Sequence, residues 1–349
     1  MNKKLLPVEY PIVSSNSEHG YLLSSIQTNK SAWEWIISNY VHISLYFAPN
    51  GYDINFVPMA NHANCPCINY QRISNELIKR KWNNIIDFVI ESIESGKYVF
   101  IHLDWYWLPC SDSFRKKHVW HPTLIYGFDK YHKTLNLADF YTNGKFIFTT
   151  EKVENICKAF NSGIEHEVSY FNKRYNCADS VILYDHILNF KYKFYLELLI
   201  DSLCDFLKST NISMVYDRGD QVYYEGKYKN YSTVFGINVL TMIAQLFNDE
   251  IDRKINLKLL SVPLEHTNLM LRRIEYLETH NYLVDSSMIK CIFKDIQKKM
   301  HIAVGLSCKY NIVLDRKILK RLSMLFMEIK ELEQQGCEKL ISHLQDYAN

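Results

Sequence analysis

The feature that most restricts how this chain can fold is a block of four β-rich runs packed between residues 98 and 150. They read YVFIHLDWYWLP (98–109), HPTLIYGFD (121–129), LNLADFY (135–141) and KFIFTT (145–150). Aromatic and β-branched residues are most frequent in the first and last runs, and Pro109 closes the first. Only short polar breaks separate the last three. One begins at Asp129-Lys130, and the other is Asn143-Gly144, a strong hairpin-turn dipeptide. Connections this short join antiparallel neighbours, so the spacing predicts an antiparallel sheet.

Helical patterns flank the block. Trp82, Ile85, Ile86, Val89, Ile90 and Ile93 recur at helical spacing, and Gly96 follows as a stop. Beyond residue 150 the texture is mainly helical. Ile318, Leu322, Leu325, Ile329 and Leu332 step by four and three, and 264–283 reads as another helix. The expected class is therefore α+β. A boundary near 150 separates a domain at 1–150 from a helical domain at 151–349, packed on the first and available as a lid. The polar, tyrosine-rich stretch 215–231 reads as a surface loop over the site.

Bulk properties exclude several functions. The formal charge is +2, from 40 basic and 38 acidic residues with no basic block, so no nucleic-acid partner is expected. No run reaches the roughly 18 apolar residues of a membrane helix, so no membrane partner is expected. The first residues lack the apolar core of a signal peptide. Nine cysteines, an odd number without a disulfide-like framework, read as reduced thiols of a cytoplasmic protein.

Within HVWHPTLIYGFDKYHKTLNLAD (118–139), His121 heads one strand, a Gly-Phe-Asp turn follows, and Asp139 lies near the end of the next strand. An antiparallel pair brings those two ends side by side. Asp139 could then fix the imidazole tautomer and leave the other ring nitrogen free as a general base. His118, three residues earlier on extended chain, points the other way and reads as a rim residue in reach of substrate. His132 falls in the hairpin turn. Asp104, in HLDWYW, could position a substrate amine or pair with a buried side chain.

A thiol nucleophile would complete the set. Cys65 ranks first, because Asn64-Cys65-Pro66 leads into a helix-like stretch from about Asn69, and a helix N-terminus lowers a thiol pKa. Cys67 ranks second, and Cys110, after Pro109, could lie at the site edge. His62, Cys65 and Cys67 lack zinc-ligand spacing. With no phosphate loop, G-x-S-x-G elbow or H-E-x-x-H, no metal and no cofactor are expected.

NCPCINYQRIS, the strand YVFIHLDWYWLP, the core HVWHPTLIYGFD and the closing LADFYTNGKFIF together resemble the cysteine-peptidase-like proteins related to the N-terminal domain of butirosin biosynthesis protein H. The resemblance covers roughly residues 10–160 and, less specifically, the helical remainder. The His…Gly-Phe-Asp…Asp pattern is shared with bacteriocin-leader peptidases of the papain superfamily. The resemblance implies a papain-like antiparallel sheet with helices in a catalytic domain at 1–150. It also implies acyl transfer from a phosphopantetheine-bound thioester on a peptidyl or acyl carrier protein to a small amine, through a cysteine acyl-enzyme in thiotemplated peptide biosynthesis. A narrower resemblance is to amide-forming enzymes of polythioamide (closthioamide-type) assembly. His121 and Asp139 carry over as base and orienting acid. The nucleophile does not carry over: many relatives place it at the start of the first helix, where this chain has Gly20 or Tyr21 in EHGYLLSSIQTN. Either the thiol has moved to the NCPC loop or the site lacks one. The alternatives are a cysteine peptidase or hydrolase on the same site, and a non-catalytic carrier-binding protein.

Overall fold

The computed structural model of the chain describes residues 1–48, 51–57, 62, 64–164, 179–212, 233–249 and 254–348. The tyrosine-rich stretch 215–231 lies outside the described residues. The chain is α+β, as its patterns predict. It divides into two compact units, Met1–Ala32 with Ala60–Lys191, and Trp33–Met59 with Tyr192–Asn349.

The first unit is built on β1 (Lys3–Leu5), β4 (Ile68–Ser74), β5 (Tyr98–Asp104), β6 (Trp120–Asp129), β7 (Thr134–Thr142), β8 (Lys145–Lys152) and β9 (Ser180–His186). These form one seven-stranded sheet in the order β4-β9-β5-β6-β7-β8, with β1 paired to β6. Every pairing is antiparallel. Its helices are α1 (Ser17–Ile26), α3 (Asn75–Lys81), α4 (Ile85–Glu94) and α5 (Val153–Ile164). The Asn84 side chain caps α4 by accepting from the Ile86 and Asp87 amides.

Two glycines are demanded by the backbone. Asn143 and Gly144 both have positive φ, 52° and 62°, the twist that suits a two-residue hairpin between β7 and β8. Gly127 sits beside a register shift in β6. A Cβ there would lie 2.6 Å from Leu5 Cδ2 and 2.8 Å from the Lys4 carbonyl. The Gly-Phe-Asp segment, expected as a turn, is thus the end of β6, and its glycine lets β1 come close. The turn itself follows, with the Asp129 carboxylate accepting from the His132 amide at 3.0 Å and Lys133 at φ 53°.

The second unit contains α2 (Ala32–Asn39), β2 (His42–Ala48), β3 (Gly51–Val57), α6 (Leu196–Lys208), β10 (Thr233–Phe235), α7 (Asn238–Asn248), α8 (Lys258–Thr279), α9 (Ser287–Val313) and α10 (Arg316–Ala348). Its three-stranded sheet runs β10-β2-β3.

The division differs from a single boundary near 150, for two physical reasons. β9, from the half expected to be helical, pairs between β4 and β5 and so belongs to the first sheet. Conversely, α2, β2 and β3 are tied to the C-terminal helices. Arg273 of α8, fully buried, donates through Nε to the Ile37 carbonyl and through a guanidinium NH₂ to the Tyr40 carbonyl, each at 3.0 Å. Those carbonyls are the kind a helix C-terminus leaves without an intrahelical donor. His266 Nε2 adds a bond to the Val41 carbonyl at 2.9 Å. No helix among the described residues is long and apolar enough to cross a membrane.

Candidate active site

The β6–β7 ladder ends at Leu124–Ala138, and just beyond it Thr123 and Asp139 meet through their side chains. Asp139 has no exposed surface and is held by five donors. Its Oδ1 accepts from the Tyr21 hydroxyl and from the Phe140 amide at 2.6 Å. Its Oδ2 accepts from Thr123 Oγ1 at 3.0 Å and Trp105 Nε1 at 3.2 Å, and faces His121 Nδ1 at 3.2 Å. Thr123 has one hydroxyl hydrogen. Since it donates that to Asp139, the Tyr141 hydroxyl at 3.0 Å donates to it in turn.

His121 is 28% exposed, and its ring lies 4.5 Å from that of Trp105. With Nδ1 also 3.0 Å from the Pro122 carbonyl, the proton belongs on Nδ1 and the lone pair on Nε2. Burial pulls the imidazole pKa down, but the Asp139 charge and the hydrogen bonds from Nδ1 outweigh it and hold the value above the ordinary one. Burial, then the charge of Asp139, pushes the Tyr21 and Tyr141 phenols far up, so both stay neutral donors.

Trp105 is set by a single 3₁₀ turn, Trp105–Trp107, which Asp104 caps by accepting from the Tyr106 amide at 3.1 Å. Asp104 is fully buried and also accepts from Ser162 Oγ at 2.7 Å and the Val119 amide at 3.3 Å, while His118 Nδ1 lies 2.6 Å away. Burial would raise its pKa, but the donors, His118 foremost, lower it below the usual carboxylate range. Asp104 thus builds the turn that carries Trp105. His118 stacks on Tyr106 at 4.2 Å and is half exposed.

The structure brings His121 and Asp139 together, and likewise Asp104 and His118. It does not bring Cys65 to His121. Among the described residues, His121 hydrogen-bonds Tyr21, Pro122 and Asp139 and no sulfur. Cys65 and Cys67 are both buried, and the hydrogen bond with the neighbouring Cys65, then burial, push the Cys67 thiol far up. The helix expected from about Asn69 is instead β4, so Cys65 does not lead into a helix N-terminus. Cys110 is half-buried, and burial together with Glu151 and Asp139 holds its thiol protonated.

Tyr21 comes from α1, the first helix of this unit, and is one of the two residues, with Gly20, that stand where the sequence resemblance led one to expect a cysteine. Its one hydroxyl hydrogen is shared between Asp139 and the Pro122 carbonyl, 2.6 Å from the phenol oxygen, which also lies 3.4 Å from His121 Nδ1. Sequence reasoning marked that position but gave Tyr21 no role, and it missed Trp105, Thr123 and Tyr141. The signal available was the company they keep, with Trp105 next to Asp104 and Thr123 two residues after His121. No group of three His, Cys, Asp or Glu side chains among the described residues could hold a metal ion. No protein-family model matches the chain, and no curated protein matches it.

Proposed function

We propose that the chain is an amide-forming acyltransferase that moves an acyl group from a carrier-bound thioester to a small amine, with His121 as general base and Asp139 as its orienting acid. The observation that carries this reading is the His121–Asp139 pair, a partly exposed imidazole whose Nδ1 is tied to a fully buried carboxylate. The reaction class rests on the papain-superfamily resemblance of the same residues. Because His121 has no sulfur partner among the described residues, the reading favoured is direct aminolysis. The amine nitrogen attacks the thioester carbonyl and Nε2 takes its proton. The C–S bond then breaks, and the imidazolium returns the proton to the leaving phosphopantetheine thiolate.

Intact-protein and product mass spectrometry with a small-molecule thioester and an amine tests this. The expected result is amide product, no acyl adduct on the protein, unchanged turnover in Cys65→Ala and loss in His121→Ala. An adduct lost in Cys65→Ala would restore the cysteine acyl-enzyme, and free acid in place of amide would make the chain a hydrolase. The missing sulfur also favours a second reading, a carrier-binding protein without turnover. Carrier binding that survives His121→Ala, with no product from the wild-type chain, would establish it.

A further inference from the structure

The hairpin between α9 and α10 breaks three rules of stable folding at once. Ile312, Val313 and Leu314 are consecutive aliphatic residues at its tip, and they are 82%, 52% and 54% exposed. Leu314, which ends α9, sits at φ 53° and ψ 32°, the left-handed conformation that glycine or asparagine adopts at little cost and leucine does not. α10 then opens with Arg316 and Lys317, followed by Lys320 and Arg321, and carries no acid in its first turn. Cations at a helix N-terminus oppose its dipole.

None of these features helps the hairpin fold. It is anchored from beneath instead, by buried Tyr310 and by the Asn311 side chain, which accepts from the Ile255 amide at 2.7 Å and donates to the Ile255 carbonyl at 3.0 Å. The charge is concentrated as well. Five cations and one acid, Asp315, fall between Lys309 and Arg321, in a chain whose total formal charge is +2. All five cations are exposed, and Lys309, Lys317, Lys320 and Arg321 enter no ion pair among the described residues.

We propose that this hairpin is a docking element for an anionic phospholipid bilayer, its aliphatic tip entering the interface and the basic collar lying on the headgroups. Charge complementarity selects an anionic surface. The convex aliphatic tip selects a fluid bilayer over an acidic protein, because a bilayer closes around a protruding side chain without needing a matching pocket. The proposal departs from the expectation of no membrane partner, which rested on the lack of a spanning segment. A peripheral contact needs none.

Co-sedimentation of the full chain with phosphatidylcholine–phosphatidylglycerol vesicles, against pure phosphatidylcholine vesicles, tests it. Binding is expected only to the anionic vesicles and should weaken with salt. Ile312→Asp should weaken it by about tenfold or more. The double variant Lys317→Glu/Arg321→Glu should do so by at least about tenfold. Leu314→Gly separates docking from folding. It relieves the left-handed leucine, so the denaturation midpoint should hold or rise while binding falls. No sedimentation of the wild-type chain with anionic vesicles overturns the proposal. So does binding that responds to the charge reversal but not to Ile312→Asp or Leu314→Gly, the behaviour of a surface for an acidic protein.

Discussion

Tyr21 and His121 share one carboxylate: the phenol donates to Oδ1 of Asp139 and the imidazole faces Oδ2. A side chain of α1 thus holds Asp139 and leaves His121 Nε2 alone. In this chain that side chain serves the dyad's geometry.

Removing the phenol should therefore be felt at His121. Tyr21→Phe leaves Asp139 with four donors and removes the one hydrogen that the phenol shares with the Pro122 carbonyl. The expected cost is about 1–3 kcal/mol in chemical denaturation. The carboxylate, less well satisfied, should pull harder on the imidazolium. The His121 pKa, followed by NMR titration, should then rise above its wild-type value; an unchanged titration would break the link.

The dyad also predicts a pH profile. The base proposed above works when neutral, so turnover should rise with pH through a His121 pKa above the ordinary histidine value of 6.5. Stability runs the opposite way. The folded-state pKa is raised, so the pair's contribution is complete below about 6.5 and is lost as pH rises through the folded value. Asp139→Asn removes the raising influence and leaves burial, so any remaining activity should have its acid limb shifted to lower pH. The rate itself should fall by about 10²-fold or more.

Gly127→Ala should loosen β1. The new Cβ would overlap Leu5 Cδ2 and the Lys4 carbonyl, and backbone cannot yield as a side-chain end can. A loss of about 1–3 kcal/mol is expected, with faster amide exchange in the β1–β6 ladder.

The buried group around Arg273 predicts a second pH effect. Glu333 lies 3.4 Å from His266 Nδ1, yet burial drives that histidine down to about 3 and the carboxyl up to about 8. Near neutrality both are uncharged and Arg273 carries the charge. Because the folded pKa of Glu333 exceeds its ordinary 4.5, its contribution is complete below about 4.5 and is lost as pH rises toward about 8. Thermal melts of Glu333→Gln should show that slope flattened. Arg273→Met should cost about 3–5 kcal/mol at any pH, since the Ile37 and Tyr40 carbonyls lose their donors.

How much of this could be read beforehand depends on how local each cause is. The helix before Gly96, the β6–β8 strands and the Asn143-Gly144 turn were legible because spacing and turn chemistry decide them nearby. His121 and Asp139 were legible because one hairpin joins them. INYQRIS was misread because β4 is mostly exposed and carries no strand alternation; its partner β9 lies more than a hundred residues on. The assignment of 33–57 was hidden for the same reason, since what holds it is an arginine at position 273. Tyr21 was ambiguous because its role comes from packing against two strands remote from it in sequence.

The place of β9 sets an order of events during synthesis. β4 and β5 are made early but share no edge; each waits for the same strand. A ribosome that has delivered the whole His121–Asp139 hairpin still holds a sheet with a gap in it, which closes only when residues 180–186 leave the exit tunnel. A chain cut near 150 would carry both members of the dyad and lack the strand that joins the two halves of their sheet.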